Sequence, residues 1–276
     1  MNLRTAVVQG QQLLEQAKVD APRLTAEVLL AHAIGRDRSW LYTHYDEDLR
    51  QLWWIHYGRY LHERLRGKPT QYITGRQEFY GREFRVTPDV LIPRPETEQV
   101  VEAALERAED ARTILDIGTG SGAIAVTLAL ERNAGVVATD ISEKALAIAA
   151  QNAHKLGAAV RFVVCDLGSA LRSNTFDLIV SNPPYVPEAN FADIQREVRD
   201  FEPKVALFGG FDGLDVYRRL IPDARRLLRP GGFLIMEIGW SEAEPICAML
   251  NSWAHVESRA DLAGIPRVIV AQHPPL

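Results

Sequence analysis

A chain of 276 residues has room for one or two domains, and 47% hydrophobic with 24% charged residues is the composition of an ordinary soluble globular protein. Its 31 Lys and Arg against 36 Asp and Glu leave a net charge of −5, which advertises no broad phosphate-binding surface. No apolar run approaches the ~18 residues of a membrane span, and the N-terminus lacks a signal-peptide core. The two cysteines, Cys165 and Cys247, have no metal spacing, so buried free thiols in a cytoplasmic protein are expected.

In chain order, residues 2–18, 22–35 and 48–66 carry apolar positions at helical spacing, with a short turn at 39–45. Pro22 suits a first turn, and Gly35, Gly67 and Pro69 suit helix ends. Residues 1–75 therefore read as a small helical domain, its His and Trp residues scattered through core and solvated face. Gln71 to Gly75 leads into two alternating runs, Gln77–Tyr80 and Glu83–Val86, around Gly81-Arg82: a β-hairpin over 76–92 that bridges the domains. Leu91-Ile92-Pro93-Arg94-Pro95-Glu96-Thr97-Glu98 follows, extended by its prolines, with a helix over Glu96–Ala108. Arg94 and Glu96 stand either at a pocket mouth or simply within a proline-held helix start.

From Arg112 the pattern alternates strand and helix. Strands are predicted at Thr113–Ile117, Val136–Asp140, Val160–Cys165, Phe176–Ser181 and Gly232–Ile238, with helices at 122–132, 142–156, 214–228 and 242–253. Such βα units imply a parallel sheet covered on both faces. His255–Ala260 and Arg267–Gln272 lack an intervening helix and should pair antiparallel at the sheet edge.

Two stretches carry chemistry. Asp116-Ile117-Gly118-Thr119-Gly120-Ser121-Gly122 follows the first of these strands and opens a helix, so its backbone can approach a ligand closely. The G-x-G-x-G spacing is neither the dinucleotide fingerprint nor a P-loop. Asp140 ends the next strand, where a carboxylate can accept both ribose hydroxyls. Asp166 stands where it can meet an adenine amino group, with Leu167 as an apolar wall. The second stretch is Asn182-Pro183-Pro184-Tyr185, after the fourth strand. Asn182 offers a carbonyl oxygen, Pro183 and Pro184 remove donors and fix the chain, and Tyr185 offers an aromatic face. These suit a flat group whose N–H bonds must be accepted. The order of glycine loop, acid-ended strand and Asn-Pro-Pro-Tyr is the layout of an S-adenosylmethionine methyltransferase.

Over nearly its full length the chain resembles the HemK/PrmC family of release-factor glutamine methyltransferases. The match rests on Leu91 to Glu98, Asp116 to Gly122, Asp140 and Asn182 to Tyr185, with weaker support from Thr74 to Phe79 and Pro230-Gly231-Gly232. The resemblance implies a class I, Rossmann-like fold: a mostly parallel seven-stranded sheet with an antiparallel edge hairpin over 93–276, preceded by the helical domain. It implies S-adenosylmethionine as methyl donor, S-adenosylhomocysteine as product, and as substrate the glutamine of a Gly-Gly-Gln loop in class I peptide chain release factors, docked by the helical domain. Leu167 departs from relatives that carry an aromatic residue there. Asn-Pro-Pro-Tyr is shared with enzymes that methylate amino groups of adenine or guanine, the alternative reading; a cofactor-binding scaffold without catalysis is a third. The charge balance favours the protein substrate, and a monomer without direct nucleic-acid binding is expected.

Overall fold

A computed structural model describes residues 1–107 and 109–275. The chain divides into two compact units, one of Met1–Arg76 with Gln195–Phe201, the other of Gln77–Ile194 with Glu202–Leu276. Among the described residues no helix is long and apolar enough to cross a membrane.

The first unit contains α1 (Leu3–Gln16), α2 (Pro22–Ile34), α3 (Arg38–Thr43), α4 (Gln51–Leu65) and α5 (Thr70–Thr74). Asn2 and Asp37 cap α1 and α3 by accepting the Thr5 and Trp40 backbone N–H groups, and Gly35 ends α2 in the left-handed region. Leu3, Leu14, Leu29, Leu30, Leu41 and Tyr57 form the core. Glu27, only 2% exposed, accepts hydrogen bonds from Arg23, Arg38, Tyr42 and Tyr45, so its charge is buried but fully paired. Residues 71–74, which lead toward the hairpin, form a helical turn: the Pro69 carbonyl accepts from both Tyr72 and Ile73.

The second unit begins within β1 (Arg76–Phe79), which forms the hairpin with β2 (Arg82–Arg85). Its turn is Tyr80-Gly81, both at positive φ, one residue earlier than expected. Glu98 Oε1 accepts the Tyr80 N–H at 2.7 Å and holds it there. Phe79 and Phe84 are buried in the same core as the sheet. Pro95–Thr97 is a 3-10 turn, and α6 (Glu98–Arg107) follows it. Ala108, the expected end of that helix, lies outside the described residues.

The remaining elements are β3 (Thr113–Ile117), α7 (Ala123–Glu131), β4 (Gly135–Asp140), α8 (Glu143–Leu156), β5 (Val160–Val164), β6 (Phe176–Ser181), α9 (Arg196–Phe201, in the first unit), α10 (Asp215–Leu227), β7 (Leu228–Glu237), α11 (Ala243–Met249), β8 (Ala254–Ala260) and β9 (Pro266–Gln272). Seven strands run in the order β5-β4-β3-β6-β7-β9-β8. The first five are parallel and the β8–β9 edge hairpin is antiparallel, as expected. Strand β7 begins at Leu228, earlier than read from sequence, because Leu228 pairs with Phe176 across a bulge. Helix α11 stops at Met249, and Leu250 and Trp253 continue it only as turns.

Successive strand residues enter opposite cores. Ile114, Leu178 and Val180 pack with α6, α7 and the hairpin; Leu115, Ile179 and Met236 pack with α10 and α11. This two-sided burial explains the continuous apolar runs. Cys165 and Cys247 are free, but half-buried rather than buried.

Candidate active site

Strands β3 and β6 lie side by side, yet the chain leaves them for helices on opposite faces: α7 packs with one core and α10 with the other. Such a switch point opens a crevice at the carboxyl ends of the strands. Ser181 Oγ donates to the Ile117 carbonyl at 2.7 Å and holds the two strand ends level. The crevice contains a cavity of about 560 Å³, within the roughly 300–1,000 Å³ of small-molecule sites. Gly118, Thr119, Gly120 and Ser121 line it together with Asp140, Asp166, Leu167, Asn182 and Pro184. Asp116, Gly122, Pro183 and Tyr185 stand outside that lining.

Asp116 and Gly122 build the loop from behind. Asp116 is fully buried; its Oδ2 accepts the Thr119 hydroxyl at 2.6 Å and the Ala125 N–H at 3.1 Å. Its Oδ1 is buried with no partner among the described residues. Burial, and secondarily the nearby Asp140, pushes its carboxyl up to about 7. Gly122 begins α7 at φ 82°, with Ala149 close against it. Asn152 of α8 ties the loop to the hairpin: its Nδ2 donates to the Ser121 and Arg85 carbonyls while its Oδ1 accepts the Arg85 N–H.

Asp140 Oδ1 accepts the Ser142 N–H at 2.8 Å and Oδ2 the Gly120 N–H at 2.9 Å. Burial raises its pKa against these bonds. Asp166 is exposed at the rim, paired with Arg219, which also lines the cavity.

Asn182 sits at the mouth of β6. Its Nδ2 donates to Thr97 Oγ1 at 3.1 Å, and among the described residues its Oδ1 accepts no hydrogen bond. Thr97 Oγ1 donates in turn to Glu237 Oε2 at 2.6 Å. Glu237 ends β7, and burial pushes its carboxyl up to about 7. The Tyr185 hydroxyl is directed to Glu237 Oε1 at 3.4 Å, with its ring packed beside the α10 core. Arg94 and Glu96 do not line the cavity; Arg94 pairs with the buried Glu202 and donates to the Ile92 carbonyl.

Sequence reasoning passed over the segment after Tyr185. Glu188, Lys204, Val205, Ala206 and Phe208 line the cavity from it. The Val186 N–H donates to the Leu207 carbonyl and the Gly209 N–H to the Val186 carbonyl, folding the segment back beside the strand end. Its signal was the run Gly209-Gly210-Phe211-Asp212-Gly213, a turn cluster. Leu91, Pro93 and Thr97, from the segment read as an extended entry and helix start that carries the family resemblance, line the cavity as well. No group of metal-ligating residues is present among the described residues.

Two protein families match this chain: the PrmC N-terminal domain over residues 5–75 and a methyltransferase domain over residues 108–266. A release factor glutamine methyltransferase from Koribacter versatilis is 48% identical over 99% of both chains. One from Bacillus subtilis is 43% identical over 89% of this chain and 90% of its own. Among solved structures, a methyltransferase from Pyrococcus furiosus shares 18% identity with a TM-score of 0.54, covering 71% of this chain and 91% of that one. The Thermus thermophilus 16S rRNA methyltransferase RsmC, solved with AdoMet and guanosine, shares 21% identity with a TM-score of 0.53, covering 71% of this chain and 49% of that one. These structural likenesses show the fold.

Proposed function

The chain belongs to the release factor glutamine methyltransferase family, and on that premise we propose that it methylates the side-chain amide nitrogen of the Gly-Gly-Gln glutamine in class I peptide chain release factors. The observation that carries the reading is the Asn182 Oδ1 at the mouth of β6, which accepts no hydrogen bond among the described residues, beside the glycine-loop cavity.

The cavity suits S-adenosylmethionine. A Cβ built on Gly120 meets no protein atom within 4 Å, so the loop leaves room for a ligand against its backbone. Asp116 Oδ1, buried behind the same loop and without a partner among the described residues, is a spare acceptor there, chemically suited to the cationic amino-acid end. Asp140 would hold the ribose, with Asp166 and Leu167 by the adenine. When bound, the cofactor supplies a methyl group already activated on a sulfonium.

The chain's own residues position the acceptor. Asn182 Oδ1 and the Pro183 carbonyl accept the two N–H bonds of the glutamine amide, which aims the nitrogen lone pair at the cavity. Both acceptors bind more strongly as that nitrogen becomes positive, which favours the transition state over the ground state. Tyr185, pinned at its hydroxyl, is assigned the flat wall beside the amide. A strong base is not needed before transfer, since the proton leaves afterwards. The helical N-terminal domain is assigned the docking of the release factor, and the enzyme is assigned a monomeric, cytoplasmic form that needs no nucleic acid.

Incubation with methyl-labelled S-adenosylmethionine and a purified class I release factor tests this. Label is expected on the Gly-Gly-Gln glutamine by peptide mapping. Label in a nucleic-acid fraction instead, with none in the release factor, would select the base-methylating alternative.

A further inference from the structure

We propose that Thr97 and Glu237 are positioning residues for methyl transfer: they fix the Asn182 amide so that its Oδ1, and not its NH₂, faces the substrate nitrogen. The inference rests on the assignment of glutamine methylation above and adds two residues to it.

An asparagine amide has two orientations of nearly the same shape, and they offer opposite chemistry. One presents an acceptor to the substrate. The other presents N–H donors to N–H donors and repels the group it should hold. Asn182 lies at the end of a strand, where its backbone alone does not choose between them.

Thr97 makes the choice. A threonine hydroxyl has one proton and two lone pairs. While Glu237 is ionised, that proton is committed to its Oε2 at 2.6 Å, a short bond of the charge-assisted kind. Toward Asn182, at 3.1 Å, the hydroxyl can therefore show only a lone pair, and only the NH₂ group can satisfy it. The opposite end of the amide, Oδ1, is thereby turned outward as an acceptor.

Both residues are held where the relay needs them. Thr97 closes the turn between Pro95 and α6, with its N–H donated to the Arg94 carbonyl, and is 4% exposed. Glu237 ends β7, and its backbone carbonyl accepts the Tyr217 hydroxyl at 2.8 Å. A carboxylate 3% exposed at a strand end is a costly way to staple a helix to a sheet, and a neutral residue would do it. Its charge has a use if its task is to hold the Thr97 proton.

The relay has a pH limit. If Glu237 takes up a proton, it can donate to Thr97 Oγ1, and the freed threonine proton then favours Oδ1 facing inward. The groups that face Glu237 are Thr97 and Glu96 from the 3-10 turn before α6, Tyr185 after β6, Tyr217 on α10 and Arg267 on β9. Burial and Glu96 favour the protonated form, while Thr97, Tyr185 and Arg267 oppose it.

The test uses the full chain, labelled S-adenosylmethionine and a class I release factor under single-turnover conditions. Thr97→Val keeps the shape and removes the hydroxyl. It should slow transfer about 10- to 100-fold, the scale for loss of an oriented polar contact at the reacting centre, with S-adenosylhomocysteine affinity within about twofold of wild type. Thr97→Ser should restore the rate. Wild-type transfer should rise with pH through neutrality, and Glu237→Gln should flatten that rise. The Asn182 side-chain amide protons, read by NMR, should exchange slowly in wild type and in Thr97→Ser but fast in Thr97→Val. An undiminished rate in Thr97→Val, or unchanged amide exchange, overturns the proposal. So does an equal loss of rate and thermal stability in Thr97→Val and Thr97→Ser, which would mark a staple only. Inactivity of the wild type toward release factor overturns the functional assignment instead, and the amide exchange then decides the orientation independently.

Discussion

Asp140 Oδ2 accepts the Gly120 N–H at 2.9 Å, so the acid that ends β4 also holds the loop that follows β3. The carboxylate thus couples loop shape to the place where a ribose would lie. Asp140→Ala removes both roles and is expected to weaken S-adenosylhomocysteine binding more than tenfold, about 1.4 kcal/mol or more. Asp140→Asn retains one acceptor oxygen and should lose less. Titration calorimetry checks this; wild-type affinity in both variants would remove Asp140 from the cofactor site.

Asp116 makes the cofactor-free protein sensitive to pH. Burial raises its pKa from 3.8 to about 7, so the folded chain keeps a proton that the unfolded chain sheds earlier. The stability tied to that proton is full below about pH 4, declines as pH rises, and is gone above about pH 7. Asp116→Asn keeps an acceptor for Thr119 and Ala125 but cannot ionise. Its melting temperature should therefore gain on wild type between pH 5 and 7.5. A constant difference across that range would show that Asp116 ionises normally.

Gly122 and Gly120 separate stability from binding. Both sit at positive φ, 82° and 56°, where an alanine costs about 1–2 kcal/mol. At Gly122 the added Cβ also meets Ala149 Cβ at 3.0 Å and Cα at 3.2 Å, so Gly122→Ala should lower the urea midpoint further. At Gly120 the Cβ meets nothing within 4 Å, and the residue lines the cavity proposed for the cofactor. Gly120→Ala should therefore lose S-adenosylhomocysteine affinity out of proportion to its stability. Equal affinity losses in the two variants would place the ligand elsewhere.

The parallel strands were legible because burial on both faces writes continuous apolar runs, as at Leu178–Val180. The glycine loop and Asn182 were legible because each needs residue types that few other backbones need. Tyr80 as a turn residue was not, since its left-handed conformation is held by Glu98, 18 residues away. The walls from Glu188, Lys204 and Phe208 were hidden because that segment has little periodicity; its shape comes from backbone bonds between Val186, Leu207 and Gly209. Glu237 drew no notice inside the strand expected over Gly232–Ile238. Its importance appears only where Thr97, 140 residues earlier, reaches it.

Asn182→Ala isolates the acceptor itself. The variant keeps Pro183, the glycine loop and Asp140, so the cofactor should still bind with near wild-type affinity. What it loses is an oxygen whose interaction strengthens as the substrate nitrogen gains charge. Loss of one such preorganised partner typically costs about 10²–10³ in the chemical step, so the single-turnover rate should fall on that scale with a smaller change in the release-factor KM. Asn182→Asp keeps acceptor oxygens, but the group facing Thr97 no longer carries hydrogens to donate. That variant should rank between alanine and wild type. Quenched-flow measurement of labelled methyl transfer decides the order; an alanine variant as fast as wild type would leave the Pro183 carbonyl as the sole acceptor and remove Asn182 from the chemistry.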